Sequence, residues 1–371
     1  LVSDEIFVWF TEMFSVACTL MCAVGGFGNV MVIRTFLSMG LKDGVTLSFV
    51  FLAVSDFVYL LTMAAHAVAL GMFVAEKKTD YKVFFSIEPF GVYIFATNLG
   101  IMFYLITVLI TTFLAIVRCL CVAMPLKFKK SFTRRTSVAT LVAFSLIAVA
   151  SYLPILVYMK MAVEFDPRVN CTRYVLWISP KRDEVKQAVW VSRDVFVTFV
   201  TQIVVIVCVV ILTRSLKAAS RFRNGSLQNQ RPNSTTQNQR PNSTEQNNQR
   251  HISTERKQRP NSTTQNPRNN LTSTRHAEAS GQVGGQPGKL SSKDTSVIQQ
   301  VVLISVVYIV CNTPKILIDV TAMFVPEFTL GKSYQNLYLA VICIMEIFQA
   351  FNSSISISIY YKYNTKFRKQ F

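Results

Sequence analysis

Histidine is nearly missing from this chain: 371 residues contain only His66, His251 and His276. Acids are scarce as well, 20 Asp and Glu against 38 Lys and Arg, and charged residues make up only 16% of the total. Each shortage excludes something. Two of the three histidines fall in a polar segment with almost no apolar residues. An intramembrane enzyme would need a Ser–His arrangement, an aspartate pair or a metal cluster; with His66 the one histidine in the apolar part, neither catalysis nor a cofactor is expected. A soluble domain carries about 25% charged residues, so a water-exposed surface over the whole molecule is excluded too. The basic surplus, a formal net charge of +18, would suit a nucleic acid only with a basic stripe interleaved with aromatics on a soluble domain. No such stripe occurs, and no nucleic-acid partner is expected.

What the chain has instead is apolar length. Seven mainly apolar stretches cover roughly 13–36, 45–74, 90–124, 136–159, 188–212, 296–325 and 334–361. Each reaches the roughly 20 residues needed to cross about 30 Å of hydrocarbon. In lipid every backbone polar group must be satisfied within its own segment, so seven helices follow. The fold class expected is an all-α membrane protein, a seven-transmembrane helix bundle. The first stretch is too long for a secretory leader, and the chain opens on Leu1, so a preceding segment is expected.

Orientation follows from the basic residues. Lys127, Lys129, Lys130, Arg134 and Arg135 lie between the third and fourth stretches without an acid, and Lys362, Lys366, Arg368 and Lys369 follow the seventh. Asp4, Glu5 and Glu12 mark the other end. The positive-inside rule then puts the amino terminus outside and the carboxyl terminus in the cytoplasm, against an anionic leaflet of the lipid bilayer.

Segment 215–294 breaks the apolar pattern. QRPNSTTQN at 230–238 recurs as QRPNSTEQN, QRHISTERK and QRPNSTTQN. A period near nine residues is too short for a solenoid, and this composition buries no core. The organisation expected is 1–214 for spans one to five, 215–294 as a long disordered third cytoplasmic loop, 295–361 for spans six and seven, and 362–371 as a short amphipathic tail. Sequons at Asn233, Asn242 and Asn261 face the wrong side for glycosylation, whereas Asn170-Cys171-Thr172 lies in an outer loop.

Polar residues inside the spans carry the functional information, because an ionisable group there costs about 2.5–3.5 kcal/mol on insertion scales. Asp56 sits mid-span in LAVSDFV and Asn29 in GFGNVMVI. Thr107, Asn352 and Ser353 join them as a polar core. That core suits either a sodium ion at Asp56, the one metal the sequence allows, or a structural hydrogen-bond network.

In order and spacing these residues resemble the rhodopsin-like (class A) G-protein-coupled receptors. The resemblance rests on Asn29, on the LxxxD run Leu52–Asp56, and on Arg118 followed by Pro125 in AMPL. Cys311-x-x-Pro314 and NSSISISIYY, Asn352 to Tyr361, complete it. RCLCVAMPLKFKKSFT and CNTPK are most similar to invertebrate, mollusc-type chemosensory receptors and to FMRFamide-type neuropeptide receptors. The resemblance implies a plasma-membrane receptor whose partners are a heterotrimeric G protein and an extracellular ligand, a small molecule or a short peptide. A transporter of small solutes, the competing class, would tend to show repeated halves with broken helices; none are visible. A microbial-type retinal protein would need a lysine midway along the seventh span, and none occurs from Ser333 to Tyr361.

The chain departs from the family pattern in several places. Val117 stands where the family has an acid before Arg118, and Asn312 replaces the sixth-span tryptophan. Ile357 takes the seventh-span proline position, the fifth span has no proline and the fourth no tryptophan. The family joins its second outer loop to the top of the third span by a disulfide. Cys171 supplies the loop half, but Tyr93 occupies the other place, so Cys171 has no evident partner.

Within YIVCNTPKILID, Pro314 lacks a donor and its ring opposes the Val310 carbonyl, so a kink is expected, with Asn312 and Thr313 bonding the freed groups. The resemblance makes this kink the hinge of activation. Asp294 lies twenty residues earlier, about 30 Å along the helix, level with Arg118. With Val117 unable to supply a local acid, Asp294 is the expected restraint on Arg118, and Tyr360 completes the switch set. On the outer side of the hinge, Lys315 and Asp319 share a helix face. With Glu346 and Tyr104 they form the expected ligand contacts, their opposite charges suiting a zwitterion or a peptide bearing an arginine or a carboxyl end. An internal pair, Lys315 with Asp319 or Glu346, is the plain structural alternative.

Overall fold

A computed structural model describes residues 3–41, 43–123, 133–182, 185, 189–228, 292–329 and 332–371. Side chains are described for these residues except 4, 219–228 and 292–294. The chain divides into two units, Leu1–Arg221 with Leu290–Phe371, and Phe222–Lys289. Of the second, only 222–228, the end of a helix, is among the described residues. The nonapeptide repeats and the AMPL turn with Pro125 lie outside them.

Seven helices among the described residues are long and apolar enough to cross a membrane. They are α1 (Asp4–Met39), α2 (Gly44–Lys78), α3 (Pro89–Ala123), α4 (Arg134–Val157), α5 (Thr198–Gln228) with the π-helical turn Trp190–Val197 before it, α6 (Ser292–Phe324), and α7 (Gln335–Ser354) continued by α8 (Ser356–Tyr363). A last short helix, α9, spans Thr365–Gln370. Capping fixes several ends. Ser3 accepts from the Ile6 amide, Asp43 from Thr46 at 2.7 Å and Thr133 from Thr136 at 3.3 Å. Gly40, at φ 82°, closes α1 in a conformation open mainly to glycine. The sequence places the end of span five near 214, yet α5 runs to Gln228 and α6 starts at Ser292. Helix formers such as Leu216, Lys217, Ala218 and Ala219 carry it past the apolar stretch.

The distribution of side chains is inverted relative to a water-soluble bundle. Val24 is 74% exposed and Phe27 69%, whereas Asn29, Asp56, His66, Thr107, Asn312 and Ser353 are buried. Apolar atoms face outward where lipid replaces water, and polar atoms pair inside. Helices approach closely where side chains vanish: a Cβ on Gly25 would lie 2.0 Å from Ser354 Oγ and 2.6 Å from its Cβ, so the close approach of α1 to α7 at this point depends on that glycine.

The structure adds one element to the expected all-helical architecture. β1 (Met159–Asp166) and β2 (Cys171–Ile178) pair antiparallel, with Met159 opposite Ile178 and Asp166 opposite Cys171. Ile87 bridges to Tyr174, which ties this hairpin to the segment before α3. At the other end of the bundle, Phe36, Phe49, Tyr360 and Phe367 pack together, mostly edge-on or tilted, with centroids 5.1–5.8 Å apart, which seats α9 beneath α1 and α8.

Candidate functional site

Four polar groupings occupy the interior. The first lies at mid-depth. Thr107 donates to Asp56 at 2.9 Å and its oxygen lies 3.0 Å from Ser55 Oγ. Asn29 Nδ2 donates to the carbonyls of Ser353 at 2.8 Å and Gly25 at 3.2 Å. The structure thus brings α1, α2, α3 and α7 to one centre, with Asn352 buried on the same stretch of α7.

The second grouping joins α4, the π-helical turn and α6. Lys315 Nζ lies 2.6 Å from Asp319 Oδ2 and 3.5 Å from the Asp194 carbonyl. Arg193 pairs with its neighbour Asp194 at 2.7 Å, sits 3.3 Å over the Tyr152 ring and donates to the Ser151 carbonyl at 3.1 Å. The Tyr152 hydroxyl donates to Asp194, and Trp190 bonds Asp319. Lys315 and Asp319 therefore form the internal pair that the sequence left as the alternative. They do so beside two charged residues, Arg193 and Asp194, that sequence reasoning missed. Their only local signal is an Arg–Asp step in WVSRDVF, at the edge of the apolar stretch.

The third grouping pairs His66 of α2 with Glu346 of α7, Nε2 to Oε2 at 3.1 Å, and sets Nδ1 2.7 Å from Thr97 Oγ1. Thr97 gives its only hydroxyl hydrogen to the Tyr93 carbonyl at 2.8 Å. Its oxygen then accepts from Nδ1–H. Glu346, expected to face a ligand, sets this oxygen against His66. Tyr104 is buried against Tyr59, with rings 5.1 Å apart, and its hydroxyl has no hydrogen-bond partner among the described residues.

The fourth grouping holds the hairpin. Arg173 reaches Glu76 and Asp166, both at 2.7 Å, while Arg168 reaches Asp166 at 2.9 Å and Glu88 at 2.5 Å. Glu88 also accepts from the Leu176 amide at 3.1 Å. Hydrogen bonds from Arg168 hold the Asp166 carboxyl well below the usual carboxylate range. Cys171 is a free thiol, and this ionic clamp fastens β2 to the ends of α2 and α3 in its stead.

At the hinge, α6 runs through Pro314. Thr313 donates to the Ile309 carbonyl at 2.7 Å, with Gln202 of α5 adding a second donor at 3.1 Å; neither bond goes to the Val310 carbonyl that Pro314 frees. Asn312 does not serve the freed backbone as expected. Its amide donates to the Tyr308 hydroxyl at 3.2 Å, one turn back, because its side chain points into the bundle. Arg118 is half-buried near the end of α3, after the buried Val117. Asp294 is helical, but its side chain lies outside the described residues, so the expected restraint on Arg118 is not among the observed contacts. Tyr360 is fully buried in the aromatic stack.

A model of the seven-transmembrane receptors of the rhodopsin family matches residues 28–355. The chain belongs to that family. No curated protein matches it. Family membership makes this a multi-pass membrane protein and a G-protein-coupled receptor, with a G protein and an extracellular ligand as partners, and not an enzyme.

Proposed function

We propose that the receptor binds a chemosensory small molecule between α3, α5, α6 and α7 and passes the signal along α6. The hairpin end then faces outward and the α9 end faces the cytoplasm. Lys315, Asp319, Glu346 and Tyr104 are the ligand contacts. Pro314 with Asn312 forms the hinge, and Arg118, Asp294 and Tyr360 form the cytoplasmic switch. Asp56, Asn29, Thr107, Asn352 and Ser353 form the polar core, whose carboxylate and hydroxyls suit a sodium ion. Asn170 is the glycosylation site, exposed at the hairpin turn with φ 52°.

The observation that carries this reading is the placement of Lys315 one residue beyond Pro314, paired across a single helix turn with Asp319. Buried ion pairs stabilise poorly compared with apolar packing of the same volume, so charges placed beside a hinge are better accounted for by binding. An FMRFamide-like peptide is the second ligand reading, supported by the similarity of the CNTPK and RCLCVAMPL stretches.

A promiscuous G-protein reporter, challenged with small chemosensory compounds and short amidated peptides, tests the proposal. A response to the first class supports it; a response confined to the peptides selects the second reading. Solute accumulation in vesicles, with no nucleotide exchange, would overturn it.

A further inference from the structure

Among the described residues, the grouping between α4, the π-helical turn and α6 holds two cations, Arg193 and Lys315, and two anions, Asp194 and Asp319. Their side chains are only 7–14% exposed. The charges sum to zero. From this balance we infer that the ligand is a small zwitterion of α-amino-acid type, with a free ammonium and a free carboxylate close together. The ammonium is received by Asp194 and Asp319, the carboxylate by Arg193 and Lys315. This rests on the proposal that Lys315 and Asp319 contact the ligand, and it adds Arg193 and Asp194 as specificity-determining residues.

The argument is one of charge conservation in a poorly solvated place. A lone amine or a lone acid entering a neutral buried grouping leaves one charge uncompensated, a cost that water does not relieve. A zwitterion exchanges partners half for half, and the total stays zero. Local geometry favours exchange. Both existing pairs are short-range, Arg193 with its neighbour and Lys315 with a residue one turn on, so they open by rotamer change without moving a helix.

Arg193 also keeps two further anchors when Asp194 turns away, the Tyr152 ring at 3.3 Å and the Ser151 carbonyl at 3.1 Å. Lys315 keeps the Asp194 carbonyl. The adjacent Arg and Asp sit in a π-helical turn, an irregularity that recurs at functional sites. An amidated peptide has no terminal carboxylate, so the same balance disfavours the second ligand reading.

The test uses the full chain in cell membranes with a promiscuous G protein, and reads nucleotide exchange. Free L-α-amino acids are applied singly; for each active one, its decarboxylated amine and its deaminated acid follow. The expected result is a response to one or more amino acids, with both truncated analogues at least about 30-fold weaker. Asp319→Asn and Lys315→Gln, compared at matched surface labelling, lower the potency of the active amino acid by a similar factor. Equal potency of amine or acid, unchanged potency in both variants, or silence to all amino acids in membranes that exchange nucleotide above mock levels would overturn the inference. Exchange at mock levels under every condition would instead overturn the receptor reading, and the inference would fall with it.

Discussion

The two ends of the bundle are held by different physics. At the hairpin end the contacts are charged: Arg173 between Glu76 and Asp166, Arg168 between Asp166 and Glu88, and Arg193 and Lys315 against their aspartates. At the α9 end Phe36, Phe49, Tyr360 and Phe367 stack with few polar atoms among them. Buried ion pairs are directional and fail when one partner is removed. Aromatic stacks keep most of their attraction through small slides and tilts. The first arrangement discriminates among partners; the second permits motion. That division suits a protein that selects a molecule at one end and shifts helices at the other.

Arg173→Met breaks the comparison hardest. It leaves Glu76 buried without its cation while Asp166 keeps Arg168, an expected loss of about 3–5 kcal/mol, read as a lower thermal unfolding midpoint of the purified receptor. Gly25→Ala comes next, because the new Cβ meets the Cβ of Ser354 as well as its mobile oxygen. Overpacking of that kind costs about 1–3 kcal/mol and should show in the same assay. Phe367→Leu, at the α9 end, removes ring atoms from one buried side chain and should cost about 1–2 kcal/mol. A larger loss there than for Arg173→Met would reverse the comparison.

Acid sharpens it. The Asp166 pKa is lowered on folding, so its contribution is fully present above the unfolded value of about 3.9. It is lost only as pH falls through the depressed folded value. Trp177 fluorescence, with Trp9 and Trp190 replaced by Phe, should therefore stay constant from neutral pH to about 4 and change only below it. A transition near pH 6 would show that another group holds the hairpin.

Apolar length made the seven spans legible, since the bilayer sets a minimum that few other segments meet. The Asn29, Asp56 and Thr107 centre was legible for a related reason: polar atoms in lipid need partners, and few candidates exist. The His66–Glu346 pair was not, because nothing local relates a residue of span two to one of span seven. Arg193 and Asp194 read as flanking charges at the edge of a stretch, and only the π-helical turn brings both inside. The hairpin was written in the alternation of MKMAVEFD and the aromatic and β-branched run of CTRYVLWI around a Pro–Arg–Val–Asn turn, a weaker signal than the longer apolar runs. Asn312 was assigned to the hinge carbonyls by proximity in sequence, but the direction of its side chain gave it to Tyr308.

The most direct test of coupling between the two ends is nucleotide exchange without ligand. Membranes bearing the wild-type chain and Asp294→Ala, at matched surface levels, are compared with mock membranes on a purified heterotrimeric G protein. The account predicts exchange above mock for the wild type and a several-fold rise in the variant, as the restraint on Arg118 is removed. Equal rates for the two chains would contradict the assignment of Asp294, and rates no higher than mock for both would contradict coupling to that G protein.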